Sequence, residues 1–237
     1  MIRMLQSKCT NLPPNVLFEI FDTVVVPTAT YASEIWGYKI HNSIENAQLK
    51  FCRQLLGVGS HTPNVAVLGE CGQFPLFVTY YSKCVKYYLK LVSMEPGELP
   101  KSAYNMALVL CEAGKNNWVS YVKNLLFRYG FGFAFENQGV GNQKQFLCMF
   151  KQRLKDNYVQ EWYSSTNETS KLKHYCQYKS SFEMEKYLSV IDIRKYKIAL
   201  AKFRCSNHNL NVEVGRQQNV PLILDVVYSA QTKVKTT

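Results

Sequence analysis

Apolar residues recur at every third or fourth position in segment after segment of this chain. That spacing constrains the fold more than any other feature, because it gathers the apolar side chains into one stripe of an α-helix. The stretch NSIENAQLKFCRQLLG is the clearest case. Ile44, Ala47, Phe51, Cys52, Leu55 and Leu56 share a face, Asn42 stands as N-cap with Glu45 three residues on, and Gly57 follows the last turn. Upstream, Leu17, Ile20, Phe21, Val24, Tyr31 and Ile35 keep a period near 3.5 across Pro27, which predicts a kinked helix or two stacked ones ended by Gly37. HTPNVAVLGECGQFP reads as a loop with a short helical turn, closed by Pro75. From there Leu76, Tyr80, Cys84, Tyr87, Tyr88 and Leu91 predict a long amphipathic helix with Lys83, Lys86 and Lys90 on its outer face, stopped by Pro96 and Gly97.

The second half repeats the pattern. Helices are predicted over about 101–112, 117–129 and 143–163, with GFGFAFENQGVGNQ as the glycine-rich joint between the last two. Ser180 and Glu183 form a capping-box pattern. In IDIRKYKIALAKFR a 3.6-residue period puts Ile193, Tyr196, Leu200 and Phe203 on one arc, and Arg194, Lys195, Lys197, Lys202 and Arg204 on the other. The expected fold is all-α. The expected division is a first helical region over 1–96, a second, irregular helical region over 97–216, and a disordered tail over 217–237.

Composition narrows the function. With 47% hydrophobic and 14% aromatic residues spread along 237 positions, the chain can bury a core. No run approaches the roughly 20 apolar residues of a membrane span, and Met1 to Asn11 has no secretory h-region, so an intracellular place, cytoplasmic or nuclear, is expected and a membrane partner is not. Eight cysteines show neither a CxxC pair nor disulfide-framework spacing. Lys and Arg match Asp and Glu five to five over residues 1–80, so the whole +11 excess lies downstream, at 23 basic against 12 acidic residues. A one-sided basic half points to a polyanionic partner, here RNA, DNA or their hybrid, bound weakly and without sequence preference. A solvated lysine-rich surface gives the same composition, as does a helical scaffold with a protein partner.

Catalytic constellations are missing from the sequence. The four aspartates, Asp22, Asp156, Asp192 and Asp225, are scattered, and no P-loop, GxSxG, HExxH or GxGxxG motif occurs. Cys205 and His208 form half of a metal-ligand pattern without a second half. No catalytic residue, metal site or cofactor is expected.

Seven segments in order carry a family resemblance. YASEIWG, IENAQLKFCRQLLGVGSHTPNVAVLGECGQFPL and YYSKCVKYYLKLV resemble the helical thumb that follows the polymerase palm in non-LTR (LINE-type) retrotransposon reverse transcriptases. WVSYVKNLLFRYGFG, FKQRLKDNYVQEWY, SKLKHYCQYKSSFEMEKYL and FRCSNHNLNVEVGR are similar to the region after the thumb, and together the segments cover about residues 5 to 220. The resemblance implies that 1–96 is thumb-like, that Tyr31, Ile35, Trp36, Phe51, Leu55 and Leu56 pack, and that Glu34 is an interior or capping polar group. It further implies that Lys50 and Arg53, at i and i+3 on the other side of their helix, touch a template–primer backbone. The palm with its paired aspartates should precede this segment, so polymerase activity is not expected of this chain. The family's Cys/His cluster has no counterpart in QQNVPLILDVVYSAQTKVKTT, a tail expected to be a frameshift or truncation product.

Overall fold

The computed structural model describes residues 12–172 and 174–208, and all regular structure among them is helical, with no strand. The helices are α1 (Pro14–Ile20), α2 (Val26–Ala29), α3 (Ser33–Trp36), α4 (Asn42–Leu56), α5 (Asn64–Cys71), α6 (Phe77–Val92) and α7 (Leu99–Glu112). They continue with α8 (Trp118–Arg128), α9 (Gly132–Glu136), α10 (Gln143–Glu168), α11 (Tyr175–Tyr178), α12 (Tyr187–Val190) and α13 (Arg194–Arg204). The tail expected over 217–237 lies outside the described residues.

The described chain divides into two compact units, one of residues 15–48 and 73–163, the other of residues 12–14, 49–72 and 164–208. The boundary expected near 96 is therefore not where the chain divides. Contacts across that point are the reason: the buried Tyr88 of α6 donates to the Ala134 carbonyl at 3.1 Å and meets the Tyr104 ring of α7 at 6.1 Å. Pro96 and Gly97 end a helix without ending a unit.

In the first unit α6 is the central element. Val78, Tyr80, Tyr81, Cys84, Val85, Tyr88, Leu89 and Leu91 are all buried along its length. Its N-terminal turn is joined to the start of α4 by one carboxylate. Glu45 accepts from Leu76 N at 3.0 Å and from the Tyr80 hydroxyl at 2.9 Å, while that hydroxyl accepts from His41 N at 3.1 Å. Glu45 is thus not the reciprocal partner of an N-cap as its spacing predicts. Tyr80 supplies the acceptor for the helix-start N–H, and Glu45 reaches out to a second helix. Gly37 allows α3 to approach α6 closely, since a Cβ there would lie 3.0 Å from the Tyr80 carbonyl oxygen.

The α1–α3 segment departs from the sequence expectation. A π-helical turn over Phe21–Val25 places an extra residue in one turn, and Ala32 takes a left-handed conformation (φ 51°) before α3. Both break the 3.5-residue phase read across Pro27. Phe18, Phe21 and Val26 stay buried, whereas Tyr31 is 81% and Ile35 52% exposed; these two are not packing residues. Trp36 is half-buried and donates from Nε1 to the Tyr31 carbonyl at 2.9 Å.

The second unit is built around a charge. Glu70, on the buried helix α5, has 0% exposure. Arg204 Nε of α13 donates to both of its oxygens at 3.1 and 3.0 Å, and the Tyr187 hydroxyl of α12 adds a bond of 2.7 Å. Arg204 Nη2 also pairs with Glu185 at 3.1 Å, and Glu185 in turn takes Lys179 Nζ at 2.7 Å. Burial raises the Glu70 carboxyl above its usual range against the pull of Arg204 and Tyr187. Gly72 ends α5 in a left-handed conformation (φ 61°), and a Cβ there would collide with the Met184 backbone nitrogen.

Three further expectations change in this unit. The α5 region is an eight-residue helix with Ala66 to Cys71 all buried, not a loop. On α13 the expected apolar arc is the open one, with Ile193, Tyr196 and Phe203 exposed, and Ala201 is buried while Ile198 packs at Gly57. Arg204 causes this, because turning its guanidinium inward to Glu70 rotates the arc away. The Ser180/Glu183 pair begins no helix; the Glu183 carbonyl instead accepts from Lys179 Nζ.

Candidate nucleic-acid interface

The nine basic residues singled out by sequence fall into two groups. Lys83, Lys86 and Lys90 belong to the first unit, where their i, i+3, i+7 spacing aligns them along about 10 Å of α6. They line a groove of about 520 Å³. Its other walls are Glu34 of α3, Tyr87 and Ser93, and Gln143, Lys144 and Leu147 from the first turns of α10. Four ammonium groups therefore converge on one groove, and Glu34 is the single carboxylate among the described residues lining it.

Local structure explains how the groove is held. Lys83 is half-buried, and its Nζ donates to Thr30 Oγ1 at 2.8 Å and to the Thr30 carbonyl at 3.2 Å, anchoring one cation at the base of the row. Lys86, Lys90 and Lys144 are exposed. Lys144 stands in the first turn of a 26-residue helix whose Gln145 amide is capped by Asn142 Oδ1 at 3.1 Å, and the helix dipole adds positive potential at that end. Trp118 braces the margin, donating from Nε1 to the Glu34 carbonyl at 3.2 Å and packing edge-on against Tyr87 at 5.8 Å.

The other six residues lie in the second unit. Lys50 is exposed. Arg53 is committed to the turn that follows its helix, with Nη2 donating to the Thr62 carbonyl at 3.0 Å and to Asn64 Oδ1 at 2.5 Å. Arg194 and Lys195 are exposed and Lys197 and Lys202 half-buried along α13, interleaved with the exposed Tyr196 and Phe203. Arg204, on the same arc by sequence, faces Glu70. Cys205 is buried, with its thiol held above its usual range by desolvation, and His208 stacks on Phe203 at 5.4 Å. No group of three or more His, Cys, Asp or Glu among the described residues is arranged to hold a metal, and none of their helices is long and apolar enough to cross a membrane.

Sequence alone does not bring Lys144 or Glu34 to the lysine row, since only the folded chain places residues 34, 83–93 and 143–147 together; Glu34, expected as an interior or capping group, is half-buried at the groove. The Glu70 network had a legible signal in VAVLGEC, where one carboxylate sits among apolar neighbours and requires a buried cation.

Comparison with known proteins finds no matching family, no curated relative and no similar solved structure.

Proposed function

We propose that this chain binds RNA, DNA or their hybrid without sequence preference, chiefly through the lysine groove of α6 and α10, as a non-catalytic segment of a retrotransposon-derived reverse transcriptase. The observation that supports binding is the convergence of Lys83, Lys86, Lys90 and Lys144 on a groove with one carboxylate. Phosphates are the ligand that such a row of ammonium groups suits, because each contact releases condensed counterions and none reads a base. The exposed cations of α13 offer a second basic face, with the exposed Tyr196 ring among them for stacking. The retrotransposon origin rests on the ordered thumb-like and post-thumb segments.

The test is binding of labelled single strand, duplex and RNA–DNA hybrid to the full chain at low salt, with primer extension on a magnesium-loaded template run alongside. Weak binding insensitive to sequence and no nucleotide incorporation are expected. Lys195→Glu with Lys202→Glu should weaken binding with helix content unchanged. Strong preference for one sequence, or extension by pure protein, would overturn the reading.

One observation favours a second reading, a protein-interaction scaffold: Leu99, Met106, Val109 and Leu110 of α7 are all exposed. In that case binding to a protein partner would be nearly indifferent to salt.

A further inference from the structure

The same unit holds a second concavity, of about 410 Å³, whose chemistry differs from that of the lysine groove. One wall is the face of α8 that carries Tyr121, Asn124 and Arg128 at i, i+3 and i+7; the other is the stretch after α3 that carries Tyr38 and Lys39. The Tyr38 and Tyr121 rings are stacked, 4.4 Å apart and 4° from parallel. Tyr121 is nonetheless 40% exposed, and the buried Leu125 forms part of the floor. Lys39, Asn124 and Arg128 are exposed around it, and no carboxylate is among the described residues lining the pocket.

From this arrangement we infer that the pocket receives one unpaired nucleobase of the strand held in the lysine groove. The inference rests on the proposed function and specifies its ligand as single-stranded nucleic acid. An aromatic wall over an apolar floor takes a flat π-system. A primary amide offers both a donor and an acceptor to a base edge, so it discriminates little among bases. Two cations without an acid accept the flanking phosphates. A base inside a duplex is paired and stacked on both sides and cannot enter such a pocket, so duplex gains only the lysine contacts.

The two concavities share no lining residue but draw on neighbouring stretches of chain, with α6 supplying Tyr81 to the pocket and the lysine row to the groove. Glu34 lines the groove and Tyr38, four residues on, lines the pocket. Trp118, which braces Glu34 and Tyr87 at the groove, begins the helix whose next turns carry Tyr121, Asn124 and Arg128. The eleven residues from Trp118 to Arg128 span ten steps and rise about 15 Å, a distance a single strand covers within a few nucleotides.

The experiment compares three ligands on the full chain: a fluorescent single strand of mixed sequence, the same strand made abasic through its centre, and the matching duplex. The wild-type protein should bind the intact strand at least about fivefold more tightly than the abasic one, the lower end of what stacking on one aromatic contributes. A 2-aminopurine in that strand should lose fluorescence on binding. Tyr121→Ala should bring the intact and abasic strands to equal affinity, and Tyr121→Phe should keep the difference. Lys86→Glu with Lys90→Glu should weaken both strands alike. Equal binding of intact and abasic strands by the wild type would overturn the base pocket and leave the lysine groove standing, while binding of neither strand would overturn both. Displacement of the strand by a free nucleoside monophosphate at comparable concentration would overturn the strand in favour of a mononucleotide ligand. The abasic and 2-aminopurine comparisons need no variant, so a Tyr121→Ala protein that fails to fold leaves the test intact.

Discussion

The unit around Glu70 and the unit around α6 solve the burial of polar groups in opposite ways. In the first, a carboxylate with no solvent access is matched by a guanidinium, a phenol and, through Glu185, an ammonium group that is itself 1% exposed. In the second, three tyrosine hydroxyls take separate partners: Tyr80 meets Glu45 and His41 N, Tyr88 meets the Ala134 carbonyl, and Tyr104 meets Gln138 Oε1 at 2.5 Å. A buried ion-pair network contributes little net stability while complete and costs heavily when one member is removed. Separate tyrosine contacts fail one at a time. The Glu70 unit should therefore be brittle and the α6 unit forgiving, which places the lysine groove on the tolerant scaffold.

The sharpest way to break that contrast is Arg204→Met, which keeps much of the side-chain volume and leaves Glu70 without its cation. A loss of about 3–5 kcal/mol is expected in denaturant unfolding. Hydrogen exchange should show Asn64–Cys71 losing protection while Phe77–Val92 keeps its own. Equal losses in both helices, or none in either, would remove the distinction.

Tyr80→Phe probes the forgiving unit. It strips the hydroxyl between His41 N and Glu45 but leaves the ring in place, so a loss of about 1–3 kcal/mol is expected. A loss as large as that of Arg204→Met would mean that the α6 unit is no more tolerant than the other.

The smallest effect concerns pH. Burial holds the Glu45 carboxyl above its usual range, against its bonds from Tyr80 and from the Leu76 and Phe77 amides. The folded chain therefore holds this proton more tightly than the unfolded chain does. Its contribution is fully present below the ordinary carboxylate pKa and is lost as pH rises through the raised folded value. Glu45→Gln should flatten the fall in melting temperature on the alkaline side of the carboxylate range, and an unchanged slope would show that Glu45 ionises as freely folded as unfolded.

Much of this architecture was legible in the apolar spacing, because α4, α6, α8 and α10 each keep one apolar face in a core and one face in water. What escaped has physical causes. Helix α5 is buried all round, so VAVLGEC has no alternation of apolar and polar faces to read. The π-helical turn at Phe21–Val25 and the left-handed Ala32 shift the register beyond them, which sends Tyr31 and Ile35 outward. On α13, charge overrode hydropathy, since Arg204 and not Phe203 turns inward. Of the candidate interface, the row Lys83, Lys86, Lys90 could be read from one helix, whereas Lys144 and the Tyr38–Tyr121 stack depend on contacts between residues 54 to 83 positions apart.

The salt dependence of single-strand binding by the wild type and by Lys86→Glu with Lys90→Glu tests the central claim most directly. Four groove lysines on phosphates predict a wild-type slope of log K against log salt of roughly −3 for a single strand, with the variant shallower by about 1 for each lysine replaced. Helix content should be the same in both proteins. Parallel slopes for the two, or a wild-type affinity that does not change with salt, would contradict the assignment of the groove to phosphate.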